Sequence, residues 1–204
     1  MTPIAVGRVP LVWVDSVTPA SFWLRTLVPS APLFVVAVAS PDSPPRPVAR
    51  QRIRTALQSV LGELWQCKPA DVTLTTTPGE PLRAQGPHAL NWGVSVSHDT
   101  GLSVAAVHRH GPVGVDLVRA APAFDWRATA HDYLGPDVAS DIAALPLNAQ
   151  NEAFLTAWTQ HEARLKCLSL GLVEWSPALH ARFSALKTVP LDLPAPWWGT
   201  VAYR

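Results

Sequence analysis

The sequence predicts an α+β protein. Three observations point there: short apolar runs with period-two spacing, two longer stretches with helical apolar spacing, and a composition of 48% hydrophobic and 15% charged residues over 204 positions, enough to bury a core. Val94 to His98, Leu102 to His108 and Val113 to Val118 read as three consecutive strands, joined by turns at Asp99-Thr-Gly101 and His110-Gly-Pro112, and together they predict a meander. Leu11 to Val14, Ser21 to Val28 and Leu33 to Ala39 predict earlier strands. Asp71 to Thr77, Val173 to Trp175 and Trp197 to Tyr203 predict further ones.

The first helix is expected over Val48 to Trp65, where Ile53, Leu57, Val60, Leu61 and Leu64 make an apolar stripe. Arg46, Arg50 and Arg54 recur every four residues, so they face one way as either a solvated face or a phosphate clamp. The second helix is expected over Ala149 to Leu168, with Phe154, Trp158, Leu165 and Leu168 inward and Thr159, Gln160, Ala163 and Arg164 away from that face. Ser169-Leu-Gly171 should end it, Gly171 taking the left-handed cap. Between strand and helix, residues 119 to 147 predict a loop with a short helix, anchored by Phe124, Trp126 and Tyr133.

A net charge of +1 lacks the strong basic signature of a general nucleic-acid binder. The two cysteines, Cys67 and Cys167, have no metal-type spacing and point to a reducing compartment. With no signal-like start and no apolar run longer than Leu33 to Ala39, the expectation is a soluble cytoplasmic protein.

Two acids are out of place. Alternation puts Gly114, Asp116 and Val118 on one face of an apolar strand and Val113, Val115 and Leu117 on the other, so Asp116 needs a cation, a metal or hydrogen-bond donors. Glu162 lies at the edge of the second helix's apolar stripe, and Lys166 is one turn on. If the acids converge they suit magnesium, completed by water and phosphate; the alternative is a Glu162–Lys166 ion pair joining helix to sheet. His161-Glu162-Ala-Arg-Leu165 lacks the second histidine of a zinc protease. Ser97 and His98 point to opposite faces and cannot form a dyad with each other. His98 either meets a phosphate or caps the turn, whereas His108 and His110 are expected in solvent. Neither a P-loop nor Gly-x-Gly-x-x-Gly is present.

Three blocks in order, Ser95-Val-Ser-His98, Val113-Gly-Val-Asp116 and Trp158-Thr-Gln-His-Glu-Ala-Arg-Leu-Lys166, resemble the 4′-phosphopantetheinyl transferase superfamily, in particular its longer, pseudo-dimeric type. The resemblance implies two similar α/β lobes, here 1–100 and 101–204, each a small antiparallel sheet packed with a long helix and with coenzyme A between them. It implies magnesium-dependent transfer of the phosphopantetheine arm to a serine of an acyl or peptidyl carrier protein by a monomer, with Asp116 and Glu162 as metal ligands. Glu162 and Lys166 would be catalytic, and Ser97, His98 and Arg46 would contact coenzyme A. The sequence departs from the family's pattern at Val118, Glu80 and His161, which leaves a second reading: a member that binds coenzyme A or a carrier without turnover.

Overall fold

The structure, a computed structural model, describes residues 9–14, 31–77, 80–87, 91–120 and 125–204. Its strands are β1 (Leu11–Trp13), β2 (Leu33–Ala39), β3 (Thr73–Thr75), β4 (Arg83–Gln85), β5 (Gly93–Asp99), β6 (Leu102–His108), β7 (Val113–Arg119), β8 (Lys187–Pro190) and β9 (Trp197–Tyr203). Its helices are α1 (Arg46–Leu64), α2 (Pro136–Ala143), α3 (Leu147–Cys167) and α4 (Pro177–Phe183), with shorter helical turns at Pro69–Asp71, Arg127–Thr129 and Ala130–Leu134. The fold is α+β with small, mainly antiparallel sheets, as expected. The strand expected over residues 21–28 and the anchor Phe124 lie outside the described residues.

The first sheet runs β1-β2-β6-β5, with β1 parallel to β2 and the other pairs antiparallel; β3 and β4 pair by themselves, and the second large sheet is β7-β9-β8. The three strands at 93–119 are therefore not one meander. β5 and β6 form a hairpin, turned by Gly101 at φ +86, a conformation glycine adopts without steric cost. β7 then leaves to pair with β9. Because β6 is an inner strand of the first sheet, the division expected after residue 100 falls inside the β5–β6 hairpin.

Side-chain alternation explains the layering. From β2 and β6, Phe34, Val36, Ala105 and Val107 face α1, where Ile53, Leu57, Val60 and Leu61 are fully buried. The intervening Leu33, Val35, Ala37, Val104 and Ala106 face Val113, Val115, Leu117 and Val201 of the second sheet. Both inner strands are thus buried on both faces, which is why they read as unbroken apolar runs. The order of layers is α1, first sheet, second sheet, α3. Each fully buried leucine, isoleucine or valine contributes about 1.5–3 kcal/mol of transfer free energy.

α3 is buried on more sides than its stripe suggested. Phe154 and Leu155 pack with Trp126, Leu134 and Ile142 near its start, while Ala163, Leu165 and Cys167 pack with Leu179, Phe183 and Ala202 near its end. Thr159 and Ala163, expected to face away, are 1% and 0% exposed. Their small size lets the helix backbone lie against β7: a Cβ on Gly114 would sit 2.0 Å from the Ala163 carbonyl oxygen and 2.4 Å from the Cys167 nitrogen. Thr159 also shares a 2.9 Å hydrogen bond with Thr200 of β9.

Other local expectations change too. The left-handed residue closing α3 is Ser169, at φ +58, rather than Gly171, and the Leu170 N–H donates to the Leu165 carbonyl. Val173 to Trp175 is not a strand; Trp175 N–H instead donates to the Asp132 carbonyl, and its indole covers Gly135. His108 is buried at 6%, edge-on to Tyr203, because β6 is an inner strand up to its last residue. His110 is exposed as expected.

Gly114→Ala tests the close approach of α3. Since the obstacle is backbone, the substitution should cost about 1–3 kcal/mol or more, read as a lower urea midpoint at unchanged slope. A midpoint unchanged from wild type would mean that the helix can shift freely.

Candidate active site

The site lies at a seam. β5 is an edge strand of the first sheet, and its odd-numbered residues turn toward β7 instead of into an apolar core. Ser95 Oγ accepts from the Val115 N–H at 3.1 Å, Ser97 Oγ donates to Asp116 Oδ1 at 3.0 Å, and Asp99 Oδ2 accepts from the Arg119 N–H at 2.6 Å. Three polar side chains at alternate positions thus replace the backbone ladder between the two sheets. The even residues Val94 and Val96 pack with α1, which sends His98 to the opposite side from Ser97, as alternation required.

Along this seam runs a cleft of about 690 Å³ between α1 and the second half of α3. Arg46, Arg50 and Arg54 line it from α1, Ser97 and His98 from β5, Asp116 and Val118 from β7, and Trp158, Glu162 and Lys166 from α3. Every candidate site residue expected from the sequence therefore borders one cavity.

Its acidic end is built around Asp116, whose side chain is only 9% exposed. Lys166 Nζ donates to Asp116 Oδ1 at 2.7 Å, to the Val115 carbonyl at 3.1 Å and to Ser97 Oγ at 3.2 Å, so all three donors of the ammonium are used. The ion pair is Asp116–Lys166, not the alternative Glu162–Lys166 pair. Glu162 is left with Oε1 buried and without a hydrogen-bond partner among the described residues. Burial pushes its pKa above the ordinary carboxylate value and the nearby Asp116 charge adds to this, while Lys166 opposes it. Two converging carboxylates, one with an unpartnered oxygen, offer a hard cation oxygen ligands; the described residues contain no larger group of three or more acids, histidines or cysteines.

The opposite end is cationic. His98 Nε2 accepts a 3.4 Å hydrogen bond from Arg50 Nε–H, and its Nδ1 is buried without a partner, so the turn-capping role is not found. Burial first, then the charges of Arg50, Arg46, Lys166 and Arg54, lower its pKa to about 4. Arg54 is steered by Thr76 Oγ1. Glu80 also lines the cleft and sits 3.7 Å from Arg83, both exposed.

Ser97 lines the cleft, but its hydroxyl is committed to Asp116 and Lys166. His161 takes no part in it: 4% exposed, it stacks on Trp158 at 6.2 Å and meets the edge of Phe183 at 5.5 Å, and burial with Arg164 lowers its pKa to about 4. The sequence reading missed Ser95 and Asp99, although polar residues at alternate positions of an otherwise apolar strand were the available signal. Leu170 and Leu172, also at the cleft, carried none.

His98 in the free protein should remain neutral down to about pH 4, seen as a late imidazole titration by NMR. Arg50→Gln should raise that value partway toward 6.5, because it removes the largest charge effect and leaves burial in place. A wild-type value near 6.5 would show that the ring is solvated.

Among the described residues no helix is long and apolar enough to cross a membrane. No curated protein matches the chain. The model of the 4′-phosphopantetheinyl transferase superfamily matches residues 112–191, a stretch that begins at the turn before β7, contains Asp116, Glu162 and Lys166, and ends just after β8. Residues 112–191 are accordingly similar to a 4′-phosphopantetheinyl transferase superfamily domain.

Proposed function

We propose that the protein moves the 4′-phosphopantetheine arm of coenzyme A onto a serine of an acyl or peptidyl carrier protein, in the cytoplasm and with magnesium. The observation that carries this reading is the polarity of the cleft: three arginines and a histidine at one end, and two carboxylates with a lysine at the other. The two helix-covered sheets would be the two lobes of the family's architecture.

A bisphosphorylated nucleotide fits the cationic end. Arg46, Arg50 and Arg54 present guanidinium groups from successive turns of α1, and His98 can add a charge-assisted bond to the 3′-phosphate once that anion offsets its arginine neighbours. At the acidic end Asp116 and Glu162 would hold magnesium, which when bound neutralises the pyrophosphate. Glu162 takes the proton from the carrier's serine hydroxyl as general base. The serine oxygen forms a bond to the β-phosphorus as the bond to the bridging oxygen breaks, and adenosine 3′,5′-bisphosphate departs with that electron pair. Lys166 stabilises the charge developing on it. Ser97 positions Asp116 and Lys166. Glu80, an acid lining the same cleft, favours the second reading of a protein that binds without turnover.

Incubation with magnesium, coenzyme A and a panel of apo carriers, followed by mass spectrometry, should show a carrier gaining one phosphopantetheine. Glu162→Gln should lose at least about a hundredfold in rate, the loss general-base removal produces. Coenzyme A binding with no carrier loaded would instead support the second reading, and near-normal turnover in Glu162→Gln would remove Glu162 from the chemistry.

His98→Ala should weaken coenzyme A by roughly ten- to a hundredfold, about 1.5–3 kcal/mol, while changing dephospho-coenzyme A little, since only the former carries the 3′-phosphate. Calorimetry on both ligands decides it. Equal weakening would mean that His98 acts through structure alone.

A further inference from the structure

We propose that Lys166 keeps the acidic end closed to metal ions until a diphosphate-bearing ligand arrives, so that cation binding follows phosphate binding. This rests on reading Asp116 and Glu162 as cation ligands and adds an order of events to it.

The ammonium of Lys166 stands where a cation would approach Asp116. It takes Oδ1 at 2.7 Å, and the Val115 carbonyl and Ser97 hydroxyl complete its hydrogen bonds, so the lysine is seated in a full set of acceptors. Ser97 Oγ also donates to the same Oδ1, leaving that oxygen doubly engaged. A divalent ion entering beside a charge seated this closely would meet repulsion from it. Glu162 presents the opposite case, with Oε1 buried and unpartnered, so the second ligand needs no displacement.

Lys166 is the member able to leave. Its side chain is 30% exposed against 9% for Asp116, it lines the cleft, and its four-carbon stem is flexible. A ligand phosphate drawn in by Arg46, Arg50 and Arg54 offers the ammonium a new partner on the cleft side. Moving toward it, Lys166 uncovers Asp116 for the metal while the region keeps its charge compensated. Linkage makes the effect reciprocal, so a metal on the carboxylates would favour the lysine's outward position and hence the phosphate.

The test uses the full chain, with manganese as a paramagnetic probe and no phosphate ligand present. Wild type should bind manganese weakly, and Lys166→Met should bind it about tenfold tighter or more, because the competing charge is gone. Magnesium should also raise the melting temperature of Lys166→Met while leaving wild type unmoved, and the Asp116→Asn/Lys166→Met double variant should show no such response. Should Lys166→Met hold its fold only with magnesium, unfolding on chelation is the same positive result. Equal manganese affinity in wild type and Lys166→Met, or a Lys166→Met melting temperature indifferent to magnesium, overturns the proposal. If wild type nonetheless loads carriers, only the gating role falls; manganese bound by neither protein together with no carrier loaded removes the underlying reading as well.

Discussion

Asp116 is a carboxylate in the middle of an apolar strand, and the way its charge is met organises the seam between the two sheets. Its partners come from two other elements, Ser97 on β5 and Lys166 on α3, so one acid ties the first sheet, the second sheet and the helix beyond it. Removing Lys166 would leave a nearly buried charge uncompensated, which costs far more than the pair contributes while intact. The constraint therefore acts on specificity of packing: only a register that brings Ser97, Asp116 and Lys166 together is tolerated. The bonds from Ser95 and Asp99 to the β7 backbone enforce the same register from neighbouring positions.

The rest of the architecture allows that meeting to happen at close range. Gly114 and Ala163 bring the backbones of β7 and α3 together, which sets Glu162 and Lys166 beside the strand that carries Asp116. On the other flank, β2 and β6 are buried on both faces, so α1 and the second sheet are held at opposite sides of one apolar layer. A cleft at the rim of this stack has rigid walls. Most of its polar groups are carried by helices and strands.

The two ends of the cleft hold their titratable groups away from ordinary values in opposite senses. Burial and nearby cations keep His98 uncharged, whereas burial and a nearby anion push Glu162 toward its protonated form. Each is therefore shifted toward its neutral form by its own surroundings. An anion beside His98 favours its protonated form, and a cation beside Glu162 favours its ionised one. Phosphate and metal would thus favour the charged forms of these groups.

The amino-acid sequence by itself determined the α+β class, nearly all of β2, β5, β6, β7 and β9, and the two long helices, because apolar periodicity over many residues leaves little choice of element. It also marked Asp116 and Glu162, since a charged side chain on an apolar face is visible without coordinates. Tertiary structure decided which strands pair: β7 joins β9, 90 residues later at Val113 and Tyr203, and no local spacing encodes so distant a partner. It decided that Lys166 pairs with Asp116 rather than Glu162, because a helical i,i+4 relation brings side chains near but the strand offered an acid together with two further acceptors. It decided the burial of His108, His161, Thr159 and Ala163, which depends on a second layer covering a face that helical or strand periodicity alone leaves open.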